Sequence, residues 1–257
     1  MGPLRLRTLL ILAALIAGTC GLFSQGLYFE SVIKGGPIKG TGHIMKTYLM
    51  PKTMKHVNAE DGDFLILRLD KQTITSVDVK EKSYWEKAFA ELEQSSKVAS
   101  AKMDKRMKEL KEQMKGMPEE QRKMMEKMVG SQMEISAGNV TLTKTRETKK
   151  INGFPCTKYV IKEGTRELMT IWTTKEVKGF EPLRKDYEEL SRRMTSMNPQ
   201  FMRALIDAML KVEGFPIQTD WGEMSTTVTK VEQRSTPESE FGVPAGYTKK
   251  KAPTEEE

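Results

Sequence analysis

The strongest constraint on this chain is a change of pattern near residue 84. Before it, residues 27–34, 41–49, 54–59, 64–70 and 72–79 carry the apolar, aromatic and β-branched residues of strands. Gly35-Gly36-Pro37, Pro51-Lys52, Glu60-Asp61-Gly62-Asp63 and Lys71 punctuate them with turn residues. Connections this short join antiparallel neighbours. From 84 to 133 the composition becomes a dense mixture of Lys, Glu, Met and Ala, which are good helix formers. Gly116-Met117-Pro118 breaks that stretch, and Pro118-Glu119-Glu120 has the form of a new helix start, with acids near the positive end of the dipole. The reading is a Met- and Lys-rich helical hairpin.

Strand character returns at 139–149, 156–162 and 167–174, around turns at Asn152-Gly153 and Glu163-Gly164-Thr165. A second helical region is expected over 181–212, restarting at Asn198-Pro199 and ending at Gly214. Residues 215–221 and 224–234 then supply a last strand pair. The order of strands, helices, strands, helices, strands predicts an α+β domain over 27–248, not a βαβ series. An antiparallel sheet of about ten strands tends to curl. The expected architecture is a half-barrel with helices on its concave face and the hairpin of 84–133 inserted. The tail 249–257, with its Lys249-Lys250-Lys251 and Glu255-Glu256-Glu257 runs, reads as disordered.

Residues 1–26 read as an export signal: Arg5 and Arg7 precede an apolar run from 9 to 16, and Ser24-Gln25-Gly26 offers small residues near a cleavage site. The apolar run is short of the roughly 20 residues a membrane-spanning helix needs. The expected location is the periplasm, with lipid attachment at Cys20 as an alternative form of export. Removing the leader takes two Arg and no acids from a formal charge of +7, leaving +5. That charge is dispersed among acids and lacks interleaved aromatics, so nucleic acid is not an expected partner. The remaining thiol, Cys156, cannot form an internal disulfide and reads as a small buried apolar residue.

With two His and two Cys in the whole chain, a zinc site would need nearly all of them to converge, and no metal or cofactor is expected. Asp61, Asp63 and Asp70 lack the order of a calcium loop. No H-E-x-x-H, G-x-S-x-G, Walker or G-x-G-x-x-G pattern occurs, and no nucleophile–base set can be named, so the expectation is a protein that is not an enzyme.

Several phrases resemble a known family: Asn152-Gly153-Phe154-Pro155-Cys156-Thr157-Lys158-Tyr159, Ile171-Trp172-Thr173-Thr174, Gly214-Phe215-Pro216-Ile217 and Phe241-Gly242-Val243-Pro244-Ala245-Gly246-Tyr247. They are similar to those of exported bacterial proteins of the DUF4412 type, a domain of unknown function. That resemblance implies a fold like the lipoprotein-localisation carriers of the LolA and LolB type, in which an incomplete antiparallel barrel wraps helices around an apolar cavity. It implies fold and compartment more than activity.

Methionine is the compositional anomaly, at 18 residues. Met103, Met107, Leu110 and Met114 share one helical face, and Met124 and Met128 continue on the second arm. These stripes read first as packing. Unbranched thioethers also make an adaptable apolar surface, whereas copper binding would lack a second ligand class. Trp85, Trp172 and Trp221 read as ring fillers between sheet and helix, with ligand contact as the second role. The residues expected to line an apolar ligand or its lid are Met103, Met107, Leu110, Met114, Met124, Met128, Trp172 and Trp221. The leading functional reading is a non-catalytic envelope carrier for a lipid, acyl chain or apolar peptide. The alternative is a structural protein of the envelope that docks a protein partner and fills its cavity with its own helices.

Overall fold

The computed structural model describes residues 25–121, 140–195 and 201–252. The first meander comprises β1 (Gln25–Gly35), β2 (Ile38–Met50), β3 (Thr53–Asn58), β4 (Phe64–Arg68), β5 (Thr73–Asp78) and β6 (Ser83–Ala88). Helix α1 (Phe89–Lys115) follows directly. The second meander holds β7 (Val140–Ile151), β8 (Phe154–Glu163) and β9 (Arg166–Thr174), then helices α2 (Arg184–Thr195) and α3 (Phe201–Met209), then β10 (Phe215–Trp221) and β11 (Met224–Ser235). A two-residue strand, β12 (Thr248–Lys249), ends the series.

All twelve strands form one unclosed sheet in the order β12-β6-β5-β4-β3-β2-β1-β11-β10-β9-β8-β7. Every neighbouring pair is antiparallel except β12 with β6. The two meanders meet where β1 pairs β11, from Gln25 opposite Ser235 to Lys34 opposite Ser225. The α+β class and the large curved antiparallel sheet agree with the sequence reading.

The two strands beyond the expected ten, β6 and β12, both lie at the outer edge of the first meander. Residues 84–88, which the composition assigns to the helical insertion, instead belong to β6, paired with β5 from Asp78 opposite Ser83 to Thr73 opposite Ala88. Ser83-Tyr84-Trp85 is strand material, and the free edge of β5 carries the pairing through helix-favouring Glu86-Lys87-Ala88 before the helix begins at Phe89. β12 has no counterpart in the sequence reading, and it takes Lys249 into the sheet. At the other end β1 includes Gln25 and Gly26, so a processing boundary at 26 would cut a paired strand. The second arm of the predicted hairpin lies largely outside the described residues.

One in-register row explains most of the core. Leu27 faces Leu49, Leu49 faces Met54, Met54 faces Leu67 and Leu67 faces Ile74, so five strands present one apolar line on one face. All five are at most 2% exposed. Phe180, Leu183 and Leu190 lie against this line, which places α2 and the 3-10 turn before it over the first meander. The Lys52 backbone N–H donates to Asp186 Oδ2 at 2.8 Å and ties α2 to the β2–β3 turn. Over the second meander, Leu205 and Ala208 of α3 pack with Tyr159, Ile161, Met169 and Ile171.

The opposite face of β2–β4 is covered by the C-terminal segment. Phe241 packs on Met50 and Ile66, which point away from Leu49 and Leu67 by strand alternation. Arg68 bonds both Asp70, at 2.6 Å, and Glu238, at 3.0 Å, and so holds that segment on the sheet.

Candidate functional site

Beside the filled row, one residue pair further along the strands, lies a second row on the same face: Thr47, His56, Leu65, Ser76 and Trp85 are successive partners across β2–β6. α2 does not fill the space over it. A cavity of about 620 Å³ opens there, floored by His56, Leu65, Ser76 and Trp85, continued by Met45, Asn58, Asp78 and Ser83, and overhung by Met194 near the end of α2. Leu65, Trp85 and Met194 also touch the main core, so the apolar floor is continuous with it. Charged groups stand at the rim: Asp63, Glu81, Lys250 and Lys251.

Most of the polar groups are committed to holding the rim's shape. Asp63 Oδ1 accepts the Val79 N–H at 2.8 Å, and Asp78 Oδ1 accepts the Glu81 N–H at 2.6 Å. Asp61 accepts from the Asp63 N–H and from the Asn58 side-chain amide, which makes the β3–β4 connection a hydrogen-bonded turn. Asp70 is the partner of Arg68, which holds its carboxyl below the usual carboxylate range. Asp61, Asp63 and Asp70, like Asp78, therefore have local structural tasks.

His56 is half-buried, with Nδ1 2.9 Å from Thr47 Oγ1. Loss of hydration pushes its imidazolium down from 6.5 to about 4. A base depressed by folding takes up its proton more readily in the unfolded chain, so the stability it contributes is full above pH 6.5 and is lost as pH falls toward about 4. The shift sets an upper bound of about 3 kcal/mol, and water in an open cavity brings the expected loss nearer to about 1 kcal/mol. His56→Gln, which keeps a partner for Thr47, should flatten the fall of the urea midpoint across that window. An unchanged acid limb would assign the loss to other groups.

Of the residues singled out from sequence, Leu110, Met114, Trp172 and Trp221 do not line this cavity. Leu110 is half-buried and Met114 is 7% exposed on α1, while Met103 and Met107 lie on the same helix. Met124 and Met128 fall outside the described residues. Trp172 is 8% exposed and points away from Ile171, which packs under α3. The Lys149 ammonium lies 4.1 Å from the Trp172 ring centroid. Trp221 is 45% exposed at the β10–β11 turn. The cavity is instead built from Met45, Leu65, Trp85 and Met194. Alternation along β3–β6 puts His56, Leu65, Ser76 and Trp85 on one face, but reading them as neighbours needs the register of three hairpins.

An unclosed antiparallel sheet with helices laid on one face and a partly apolar hollow at its rim defines a β-rich α+β domain with room for a small ligand. The chain belongs to the family described as a domain of unknown function, DUF4412, which matches residues 117–247. Among curated proteins, none matches the chain by sequence. Solved structures with a similar arrangement include an uncharacterized conserved protein from Thermus thermophilus, at 6% identity, covering 95% of this chain and 98% of that one, with a TM-score of 0.44. PNGF-II is similar at 11% identity over 89% of this chain, with a TM-score of 0.38, and the chain spans 31% of its length. A LolA superfamily protein from Nitrosomonas europaea is similar at 5% identity over 85% of this chain and 90% of that one, with a TM-score of 0.30. At these scores the likenesses carry no argument about function. Among the described residues, no helix is long and apolar enough to cross a membrane.

Proposed function

We propose that this protein is a non-catalytic binding module of the cell envelope that takes a lipid, acyl chain or similar apolar ligand into the rim cavity. The observation that carries the reading is a hollow of about 620 Å³ whose floor residues Leu65 and Trp85 continue the hydrophobic core, with Met45 beside them and Met194 as the roof. Pockets of several hundred Å³ with apolar walls and a few polar groups suit small ligands. Met194 and Met45 are unbranched and can re-pack around chains of different shape. Export, expected from Arg5, Arg7 and the apolar run after them, would place the module where such ligands are handled. The Met-bearing α1 rises directly from β6, which carries Trp85, and in this reading α1 serves as the movable cover.

Organic extraction of the purified protein followed by mass spectrometry should recover bound lipid. A neutral fluorescent probe, N-phenyl-1-naphthylamine, should bind with a change in Trp85 emission, and Leu65→Glu or Met194→Glu should weaken it by about tenfold or more, since each places a charge against an apolar ligand. A second reading has its own observation: Leu190 is 0% exposed, so α2 already fills the face over β1–β5. If no lipid is extracted and the probe binds equally to both variants, the self-filled interaction protein becomes the better account.

A further inference from the structure

The C-terminal segment after β11 has three parts with different attachments. Its first part is anchored firmly. Glu238 pairs with the buried Arg68, the Lys55 ammonium donates to the Glu240 carbonyl at 2.8 Å, and Phe241 is 6% exposed on Met50 and Ile66. The second part, Gly242-Val243-Pro244-Ala245-Gly246, is a spacer. Gly246 has φ +83 and no neighbour within 4 Å of where a side chain would stand, and glycine is the residue with the widest choice of backbone conformation. The third part is β12. It joins β6 in a two-residue parallel ladder, Thr248 opposite Ser83 and Lys249 opposite Tyr84, flanked by backbone hydrogen bonds from the Thr248 N–H to the Lys82 carbonyl at 2.9 Å and from the Lys250 N–H to the Tyr84 carbonyl at 2.7 Å. Two solvent-exposed ion pairs accompany it, Lys249 with Glu86 at 3.4 Å and Lys250 with Glu81. Exposed pairs of this kind contribute little and weaken with salt. Lys250 and Lys251, at the end of this weakly held piece, line the rim cavity.

We propose that residues 248–251 are a latch: they form a removable wall of the rim cavity, swinging about Gly246 while Phe241 stays seated, and ligand passes when they release. This rests on the rim cavity being the binding site. A tightly anchored stem, a Gly- and Pro-containing spacer and a two-residue parallel strand give the segment one strong and one weak attachment, and the weak one is the one that borders the hollow. Release would also uncover the edge of β6, a sheet edge that β12 otherwise occupies.

The test uses the full chain carrying Cys20→Ala and Cys156→Ala, with a disulfide between Ser83→Cys and Thr248→Cys, which are register partners. Stopped-flow binding of N-phenyl-1-naphthylamine should be slower by about tenfold or more in the oxidised form and should recover on reduction of the same sample. In the native chain, hydrogen exchange at the Thr248 and Lys250 amides should exceed that at the Gly242 amide, which is bonded within the anchor, by about tenfold or more, and added salt should widen the gap. Equal association rates in the oxidised and reduced forms overturn the latch while leaving the binding site standing. If the probe binds neither form, the binding reading fails, and exchange at 248 and 250 as slow as at 242 overturns the latch as well.

Discussion

Replacing Phe215 by Ala is expected to remove about 3–5 kcal/mol of stability, the range for deleting a buried aromatic ring that its surroundings cannot refill. Phe215 is 1% exposed and meets Phe29 edge-on at 5.2 Å and Phe180 at 5.0 Å between ring centroids. It thus joins β10 to β1 and to the turn that leads into α2, which are three separate parts of the chain. Collapse around the missing ring is opposed by the backbone beside it: Gly214 has φ +87, and even a Cβ there would meet the Thr174 carbonyl oxygen at 2.6 Å. Urea unfolding followed by tryptophan emission should show a large fall in midpoint with little change in slope. A loss below about 1 kcal/mol would mean that the three aromatic rings do not act as one cluster.

Leu190→Ala should remove about 2–5 kcal/mol, because the side chain is 0% exposed against the Leu27–Leu49–Met54–Leu67–Ile74 row. Its value lies in a second readout. The vacated space lies on the same face as the rim cavity, and Leu65, Trp85 and Met194 border both. In the folded variant the hollow should extend inward, so N-phenyl-1-naphthylamine should bind more tightly even as the protein becomes less stable. Loss of stability without any gain in probe binding would mean that the rim cavity and the core under α2 do not communicate, and would favour the self-filled reading.

Much of the architecture is legible in the sequence because its signals are local. Gly35-Gly36, Pro51-Lys52, Asn152-Gly153 and Gly164 close tight turns, and the strand-forming runs between them have to pair as antiparallel neighbours. Likewise Gly214, past the end of α3 at Met209 and just before β10, takes a conformation that other residues disfavour. The family phrases lead to the DUF4412 assignment, since Asn152–Tyr159 and Phe241–Tyr247 are continuous stretches within the matched region.

The site is much less legible. Its residues come from β2 to β6, from α2 and from the C-terminal segment, and no local pattern joins Met45 to Met194. The Met stripe of α1 stands out because helical periodicity is easy to read, yet periodicity reports only that a face is apolar, not what it meets. In the sequence His56 and Trp85 are single residues with no visible link. Only the register across three hairpins sets them on one line with Leu65 and Ser76.

By itself the sequence determined the α+β class, the antiparallel order of the meanders and most turn positions, because alternation and turn chemistry act over a few neighbouring residues. Tertiary structure alone decided that 84–88 extends the sheet instead of starting the helix, that Thr248 and Lys249 return to pair with it, and that α2 covers one apolar row but leaves the next open. For β12 and the cavity the deciding contact lies far away in the chain, at the Lys82 and Tyr84 carbonyls and in the fit of Leu190 over strands more than a hundred residues earlier, whereas for β6 it is the free edge of the preceding strand β5. Local propensity is worth tenths of a kcal/mol per residue, and edge pairing and burial override it where they compete.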